Sequence, residues 1–182
     1  LFIRKDPPFD ESYLMLTYLL ELAEKQGLTI LNQPRSLRDA NEKIFTQWFP
    51  QLCPDTLITS STTLIEQFLQ KHTTAIIKPV DGMGGHSIFK LTQGDPNIPV
   101  ILDTMTLNNS RTVVAQEYIP QISDSGDKRI LMINGKPISH ALARIPAKND
   151  FRGNIATGAS YQAVPLTEQD RYICQQIGPT LK

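Results

Sequence analysis

The sequence predicts a mixed α/β fold of the α+β kind, and three patterns lead to that prediction. Residues 1–31 read as strand, helix, strand, which is a βαβ-like unit. Residues 75–91 read as strand, glycine loop, strand, because an apolar run leads into Lys78 and Pro79, three glycines follow, and polar and apolar residues then alternate. Asn134–Gly135 separates two apolar runs and is a strong hairpin signal. Strands that are interleaved with helices and joined by hairpins indicate a mixed class.

The composition excludes several classes of protein. A chain of 182 residues forms one large domain or two small ones. Its formal net charge is zero, which disfavours nucleic acid and anionic membranes as partners, and its apolar runs are too short to span a bilayer. Cys53 and Cys174 do not make a disulfide framework, and His72, His86 and His140 lack the spacing of zinc ligands. We therefore expect reduced thiols and a cytoplasmic protein.

The two ends of the sequence predict a fragment of a longer protein. Leu1 begins the sequence inside an apolar run and without a methionine. Leu181–Lys182 end it inside a predicted helix.

The first helix is predicted to begin after Asp10, whose side chain can cap it, and to stop at Gly27. Its apolar residues lie on one broad face. Short strands are predicted on either side of it, at residues 1–3 and 28–31.

A second helix is predicted from Ser36, with Asp39 at the reach-back position of a capping box. Its apolar stripe consists of Ile44, Phe45, Trp48 and Phe49. Lys43 lies beside that stripe, where a lysine is most often only solvated. A short strand at residues 56–59 and a third helix at residues 63–72 follow.

The second half of the chain is richer in predicted strands. Residues 98–109 form a short helix or a loop, and residues 112–119 form a strand that Pro120 ends. Residues 130–133 and 138–144 are the two strands of the hairpin. Thr167–Asp170 caps the last helix.

Residues 147–163 show little periodicity and are predicted to form one long loop. A loop of this length in a compact domain is usually a lid or a binding loop, or is disordered. It contains Arg152 and Gly158.

The glycine loop after Lys78 has the composition of a phosphate site. Glycines let successive backbone N–H groups approach an anion, and a lysine at the end of a strand adds a point charge. The run is neither a Walker loop nor the dinucleotide fingerprint, because the spacing differs from both. The alternative interpretation is a tight hairpin with a solvated lysine.

Several motifs together resemble a known superfamily. Lys43, Lys78, Gln116–Pro120 and Asp127–Arg129 occur in the order that is typical of ATP-grasp proteins. Five longer runs are similar to the bacterial glutathione synthetases: Arg4–Asp10, Ser36–Asp39, Lys78–Gly85, Gly126–Arg129 and Leu142–Pro146. The similarity extends over the whole chain, and its most specific part is Asp81–Gly85.

This resemblance implies an ATP-grasp fold, in which two α+β subdomains clasp ATP. Residues 1–36 would be the C-terminal part of a preceding, substrate-side domain. Residues 37–182 would be the ATP-grasp domain without its C-terminal metal-binding strands.

The resemblance also implies a nucleotide site. Lys43 and Lys78 would contact the ATP phosphates, and a flexible loop would close over them. The loop residues are Gly82, Gly84 and Gly85, and the segment whose backbone reads adenine is Gln116, Glu117, Tyr118 and Ile119. Asp127 would lie near the nucleotide.

The catalytic residues implied by the resemblance are Arg129 and Arg144, which would bind γ-glutamylcysteine. Arg152 and Gly158 would bind substrate from the loop that shuts over the site. The ligands of Mg²⁺, or Mn²⁺, are expected beyond residue 182, so no metal ligand is assigned within the chain.

The implied activity is glutathione synthesis. ATP would convert the C-terminal carboxylate of γ-glutamylcysteine to an acyl phosphate, and glycine would displace phosphate from it. An acyl phosphate hydrolyses when water enters, so a closing loop would exclude water. The full-length enzyme would be a homo-oligomer, and the fragment alone is expected to be inactive.

Two alternatives stay open at this point. One is another ATP-grasp ligase that acts on a dipeptide or a protein tail, because such enzymes share the ATP half. The other is a non-catalytic nucleotide-binding fragment. Arg4–Pro8 and Leu142–Pro146 favour glutathione synthetase over the first alternative.

Overall fold

The computed structural model describes residues 1–147 and 158–181, and the chain divides into two units, Leu1–Tyr118 and Ile119–Lys182. The elements of the first unit are α1 (Glu11–Lys25), α2 (Pro34–Asp39), two 3-10 helices (Phe45–Trp48 and Pro50–Leu52), β1 (Thr56–Thr59), α3 (Thr62–His72), β2 (Thr74–Pro79), β3 (Phe89–Thr92), α4 (Ile98–Thr106) and β4 (Val113–Glu117). The elements of the second unit are α5 (Ile122–Ser125), β5 (Asp127–Ile133), β6 (Lys136–Ile145), β7 (Ser160–Pro165) and α6 (Glu168–Ile177).

The first helix begins where the sequence predicts. The Asp10 side chain accepts a hydrogen bond from the Tyr13 backbone N–H at 2.8 Å, which satisfies one of the free donors of the first turn. The strands predicted around α1 are reduced to one parallel bridge between Phe2 and Leu31. The pairing ends there because Pro34 begins α2 three residues later.

The prediction for the second helix is wrong in its extent. α2 begins at Pro34, whose fixed φ suits the first helical turn, and it ends at Asp39. The Asn41 Oδ1 atom then accepts hydrogen bonds from the backbone N–H groups of Lys43 and Ile44, at 3.0 and 3.1 Å. These bonds form a turn that breaks the helix, so the apolar stripe lies on the two 3-10 helices instead.

The sheet of the first unit is antiparallel, in the order β1-β4-β2-β3. Along β2, Ala75, Ile77 and Pro79 are buried on one face. The residues packed on that side come from both helices and strands, and the fully buried ones include Ile65, Leu91, Leu102 and Val113. Burying one such side chain stabilises the fold by about 1.5–3 kcal/mol. Since side chains alternate, Lys78 projects from the opposite face.

The second unit contains a three-stranded antiparallel sheet in the order β5-β6-β7. Asn134 and Gly135 form the β5–β6 turn with positive φ at both positions, as the sequence predicts. The predicted cap of the last helix is confirmed as a capping box between Thr167 and Asp170. The Asp170 carboxylate also accepts a hydrogen bond from the Lys128 ammonium at 2.7 Å, which ties β5 to α6.

The prediction of a loop at residues 147–163 extends too far at its C-terminal end. Residues 160–165 form β7, which pairs with β6 from Ile145↔Ser160 to His140↔Pro165. Polar side chains on this exposed edge strand hide the alternation on which the sequence prediction depends.

Both cysteines are free thiols, and burial raises the pKa of each. Within residues 1–147 and 158–181, no helix is long and apolar enough to cross a membrane.

Candidate nucleotide site

Lys78 lies at the end of β2 and is held by a chain of hydrogen bonds. Its ammonium donates to Gln116 Oε1 at 2.9 Å, and Gln116 Nε2 donates to Thr56 Oγ1 at 2.8 Å. The register explains the contact, since Gln116 pairs with Thr56 on one side and with Ile76 on the other. Burial lowers the pKa of Lys78, and the positive charge of Lys43 lowers it further.

Lys43 is brought to the same place by the turn after α2. The Asn41 side chain holds the start of this turn, and its Nδ2 atom donates to the Val80 carbonyl at 3.3 Å. The Lys43 ammonium donates to the Gly82 carbonyl, at the start of the glycine loop. The structure therefore brings Lys43 close to Lys78 and the glycine loop, from which it is far apart in the sequence.

The glycine loop connects β2 to β3 and has left-handed backbone at Gly84 and Gly85, with φ values of +70° and +79°. Residues with a Cβ atom rarely adopt this conformation. Gly82 is needed for space, because a Cβ atom there would lie 3.0 Å from Pro79 Cγ. Gly84 and Gly85 therefore have a conformational reason to be glycine, and Gly82 has a steric one.

The two ammonium groups suit an anionic ligand. Among the described residues, each one donates to an uncharged amide or peptide oxygen, and neither is paired with a carboxylate. An ammonium group has three N–H donors, so each lysine keeps donors for an incoming anion. Two cations beside a glycine loop can neutralise the charge of a polyphosphate.

The predicted adenine-reading segment lies at the end of β4. The backbone N–H groups of Glu117 and Tyr118 donate to the Asp55 and Thr74 carbonyls, at 2.9 and 3.3 Å, so the adjoining strands already use them. The Glu117 side chain projects from the face opposite Gln116 and lies 4.0 Å from His72 Nδ1. Its side chain is thus directed away from Lys78.

The sequence analysis did not assign Lys90 a role. Its ammonium lies 3.8 Å from the centre of the Tyr118 ring, in a cation–π contact. Lys90 pairs with Ile76 in β3, so it shares the sheet face of Lys78. The alternation of residues 87–91 could have indicated this placement. Ile119, the last residue of the predicted segment, is exposed.

Asp127 and Arg144 of the second unit form a bidentate ion pair. Arg144 Nε and Nη2 donate to the two carboxylate oxygens of Asp127, both at 2.7 Å. The two residues are directly opposite each other in the β5–β6 ladder. Arg129 lies two residues further along β5 on the same face, and it is exposed and has no ion-pair partner among the described residues. The structure thus places both predicted arginines on one face of this sheet.

Part of the predicted substrate loop lies outside the described residues, including Arg152. Gly158 is described and has φ +88°, with its nearest neighbour atom at 3.8 Å from an added Cβ atom. Within residues 1–147 and 158–181, no group of three acidic, histidine or cysteine side chains is placed to hold a metal ion.

Comparison with protein families gives two matches that together cover nearly the whole chain. Residues 42–182 match the family described as "Prokaryotic glutathione synthetase, ATP-grasp domain", and residues 1–38 match "Prokaryotic glutathione synthetase, N-terminal domain".

Two curated relatives illustrate the similarity. The chain is 57% identical over 182 residues to a glutathione synthetase of Coxiella burnetii, covering all of this chain and 56% of the relative. It is 51% identical over 180 residues to a glutathione synthetase of Vibrio parahaemolyticus, covering 99% of this chain and 57% of the relative. The chain therefore spans little more than half the length of these relatives.

Solved structures show the same fold at low sequence identity. D-cycloserine synthetase DcsG superimposes with a TM-score of 0.68 at 13% identity, over 93% of this chain and 61% of that one. The ATP-grasp ligase PsnB, solved with a precursor variant, Mg and ADP, gives a TM-score of 0.61 at 18% identity, over 94% of this chain and 51% of that one. The predicted ATP-grasp fold is thereby confirmed.

Proposed function

The chain belongs to the prokaryotic glutathione synthetase family, and on that premise we propose that the full-length protein is an ATP-dependent ligase that makes glutathione from γ-glutamylcysteine and glycine. The observation that carries the proposal is the convergence of Lys43, Lys78 and the glycine loop. Among the described residues, the half-buried Lys78 ammonium donates to a neutral side chain, which is a costly arrangement for a scaffold residue and a useful one for an anion site.

We assign the phosphates of ATP to the first unit. Lys43 and Lys78 neutralise phosphate oxygens, and the backbone of Gly82, Gly84 and Gly85 approaches them without interference from side chains. Phosphoryl transfer depends mainly on positioning and on neutralisation of charge, which ammonium groups and backbone N–H donors provide.

We assign adenine to the end of β4. Gln116 connects this segment to Lys78, so base and phosphate binding share one hydrogen-bonded chain. Tyr118 offers an aromatic ring whose position Lys90 steadies. The backbone of Glu117 and Ile119 completes the segment, and Glu117 contributes its carbonyl group, because its N–H already bonds to Asp55.

We assign the dipeptide to the arginines of the second unit. Asp127 orients the Arg144 guanidinium through two short bonds, and Arg129 lies on the same face to meet a second anionic group. We propose that Asp127 lies near the nucleotide and that its role is to position Arg144. Arg152 and Gly158 are also proposed to bind substrate.

The reaction proceeds in two steps. The terminal carboxylate of γ-glutamylcysteine attacks the γ-phosphorus of ATP, which gives an acyl phosphate and ADP. The amine of glycine, after loss of its proton, attacks the acyl carbon, and the tetrahedral intermediate expels phosphate as the amide bond forms. Exclusion of water protects the acyl phosphate between the two steps.

The family and its ATP-grasp fold imply ATP together with a divalent metal ion. The lysines and the glycine loop fit the phosphates by their chemistry. We propose Mg²⁺, or Mn²⁺, as the ion and assign its ligands to residues outside 1–182.

Three wider properties are part of the same proposal. Residues 1–36 belong to a substrate-side domain and residues 37–182 to the ATP-grasp domain. The enzyme acts in the cytoplasm, where free thiols such as Cys53 and Cys174 stay reduced. It assembles as a homo-oligomer.

The experiment that tests this function measures phosphate release by the full-length protein with ATP and defined acceptor pairs. γ-Glutamylcysteine plus glycine is expected to give turnover and glutathione, identified by mass. D-Alanine alone is expected to give none. Equal turnover with D-alanine would contradict the proposal and indicate a dipeptide ligase instead.

A further inference from the structure

The first three residues of the glycine loop, Val80–Gly82, are held from several directions. We name them the loop stem. The Val80 carbonyl accepts from Asn41 Nδ2 at 3.3 Å, and the Asp81 carbonyl accepts from the Phe9 backbone N–H at 3.0 Å. The Gly82 carbonyl accepts from Lys43. All three backbone carbonyls of the stem are therefore bonded to residues outside the loop.

The strongest of these contacts is a side-chain ion pair. Arg111 Nη2 lies 2.9 Å from Asp81 Oδ1 and 3.2 Å from Asp81 Oδ2. Both side chains are about one third exposed, at 37% each. Neither residue was among those that the sequence analysis assigned to the site.

The register of the sheet explains why the pair occurs at this point. The β2–β4 ladder ends at Pro79↔Val113, and Asp81 and Arg111 each lie two residues beyond that pair on their own strand. Pro79 has no N–H to donate, so backbone pairing cannot continue to the loop. The ion pair therefore joins the segments that follow β2 and precede β4, at the position where the next backbone hydrogen bonds of the ladder would have been.

Arg111 is itself fixed to the scaffold. Its backbone N–H donates to the Thr106 carbonyl at 2.6 Å, at the end of α4, and Thr106 is fully buried. The backbone of Arg111 is therefore fixed at the point from which its side chain reaches the Asp81 carboxylate. The stem is thus held by Arg111 as well as by Lys43.

We propose that Arg111 and Asp81 are positioning residues for the glycine loop. They fix the stem, so that the glycines beyond it can move while their N–H groups stay directed toward the phosphates of ATP. The proposal rests on the proposed function for the identity of the ligand. It does not depend on that function for the order of the stem.

The alternative role for Arg111 is direct contact with phosphate. The two roles differ in what the loss of Asp81 does. If Arg111 acts through Asp81, Asp81→Asn and Arg111→Gln have the same effect. If Arg111 binds phosphate itself, Asp81→Asn releases it for that task and leaves ATP binding unchanged or tighter.

The test compares Arg111→Gln, Arg111→Lys, Asp81→Asn and a matched control in the full-length protein. The control is Arg35→Gln, which breaks the exposed Arg35–Asp39 pair of α2, at 3.3 Å, and touches no part of the loop. Exposed pairs contribute little to stability, so all four variants are expected to keep the Tm of the wild type.

Two readouts decide the outcome. Amide hydrogen exchange of residues 80–85 in the nucleotide-free protein is expected to rise about tenfold in Arg111→Gln and Asp81→Asn, because the stem loses its support. The KM for ATP is expected to rise about tenfold in the same variants, while the KM for γ-glutamylcysteine stays unchanged, since misplaced binding groups cost one to two orders of magnitude. Arg111→Lys keeps the charge and is expected to rescue both readouts in part.

A merely structural role would lower Tm and raise exchange throughout the first unit. Asp81→Asn within twofold of the wild type in both readouts would overturn the proposal. If the wild type makes no glutathione, the proposed function fails, yet the exchange measurement still decides whether the pair orders the stem.

Discussion

Two pairs of cations, one pair in each unit, are held in opposite ways. In the first unit, the Lys43 and Lys78 ammonium groups donate to uncharged oxygens of a peptide group and an amide. In the second unit, Lys128 and Arg144 donate to the carboxylates of Asp170 and Asp127. Among the described residues, the two lysines of the first pair have no carboxylate as a direct partner, whereas each cation of the second pair has one.

This difference separates a binding site from a support. Burial and the charge of Lys43 lower the pKa of Lys78, so its charged form opposes folding and is expected where an anionic ligand restores the balance. A compensated cation such as Lys128 stabilises the fold without a ligand. Arg144 combines both features, because its pairing with Asp127 fixes the direction in which it presents its guanidinium group.

The largest expected effect comes from removing the Lys78 ammonium. Lys78→Ala is expected to lower kcat/KM of the full-length enzyme by about 100- to 1000-fold, since one lost transition-state contact costs about 3–4 kcal/mol. Its Tm is expected to stay the same or to rise. Steady-state kinetics and thermal unfolding measure the two quantities.

The matched control is the compensated lysine of the second unit. Lys128→Ala removes the partner of the Asp170 carboxylate and is expected to lower Tm while glutathione synthesis changes little. A Lys78→Ala enzyme within twofold of the wild type would show that Lys78 is a solvated strand-end lysine.

The next effect concerns the geometry that supports the Asp127–Arg144 pair. Gly126 has φ +68° and ψ −159°, and a Cβ atom there would lie 1.9 Å from the Arg144 carbonyl oxygen. Gly126→Ala is expected to destabilise the protein by about 2–3 kcal/mol, because this backbone conformation is nearly restricted to glycine and the β6 backbone must also shift. Denaturant unfolding measures the change.

Gly94→Ala is the control for Gly126→Ala. Gly94 has φ +91° but no atom within 4 Å of an added Cβ atom, so only the backbone strain is present. A cost of about 1 kcal/mol is expected there. Equal costs at the two glycines would mean that the close approach of β6 contributes nothing.

The sequence predicts most elements whose ends carry local signals. Asp10 and Thr167 each cap the helix that follows, and Asn134–Gly135 forms its turn. These signals act through neighbours in the chain, so they are visible in the sequence. The end of α2 was missed because the Asn41 side chain competes with the helix for backbone donors.

The candidate site divides in the same way. Lys78 and the glycines form one continuous motif, and the resemblance to a family added Lys43, Gln116 and the arginines. Lys90 and Arg111 were missed, because each acquires its partner only when strands pair. A cross-strand contact depends on register, which a local pattern does not reveal.

A smaller expected effect is the pH dependence of the stability that the Asp170 carboxylate, the partner of Lys128, contributes. Burial acts to raise the pKa of Asp170, but hydrogen bonds from Lys128 and Thr167 outweigh it, so the pKa is lowered. A carboxyl group with a lowered folded-state pKa stabilises the fold above its unfolded pKa of about 3.9, and this stabilisation is lost as the pH falls through the folded value. Asp170→Asn is therefore expected to lower the free energy of unfolding by about 1 kcal/mol near pH 7 and by less below pH 4.

The control is Glu168→Gln, in the same helical turn but exposed. Equal acid dependence of wild type and Asp170→Asn would contradict the assignment.

The smallest expected effect is the pH dependence of nucleotide binding through Lys78. Burial and the charge of Lys43 lower the pKa of Lys78 below the ordinary lysine value of about 10.4, and phosphate binding requires the charged form. The dissociation constant for ADP is therefore expected to rise several-fold as the pH increases toward 10, and the rise begins at a lower pH than an ordinary lysine would give. Lys78→Arg is the control, since a guanidinium stays charged throughout this range, so its weaker binding should not change with pH in the same way. Calorimetric titrations of the folded protein between pH 7 and 10 measure both. A constant affinity in the wild type, or the same slope in Lys78→Arg, would show that the ammonium of Lys78 does not meet the phosphates, and the contrast between the two units would then have to rest on Lys43 alone.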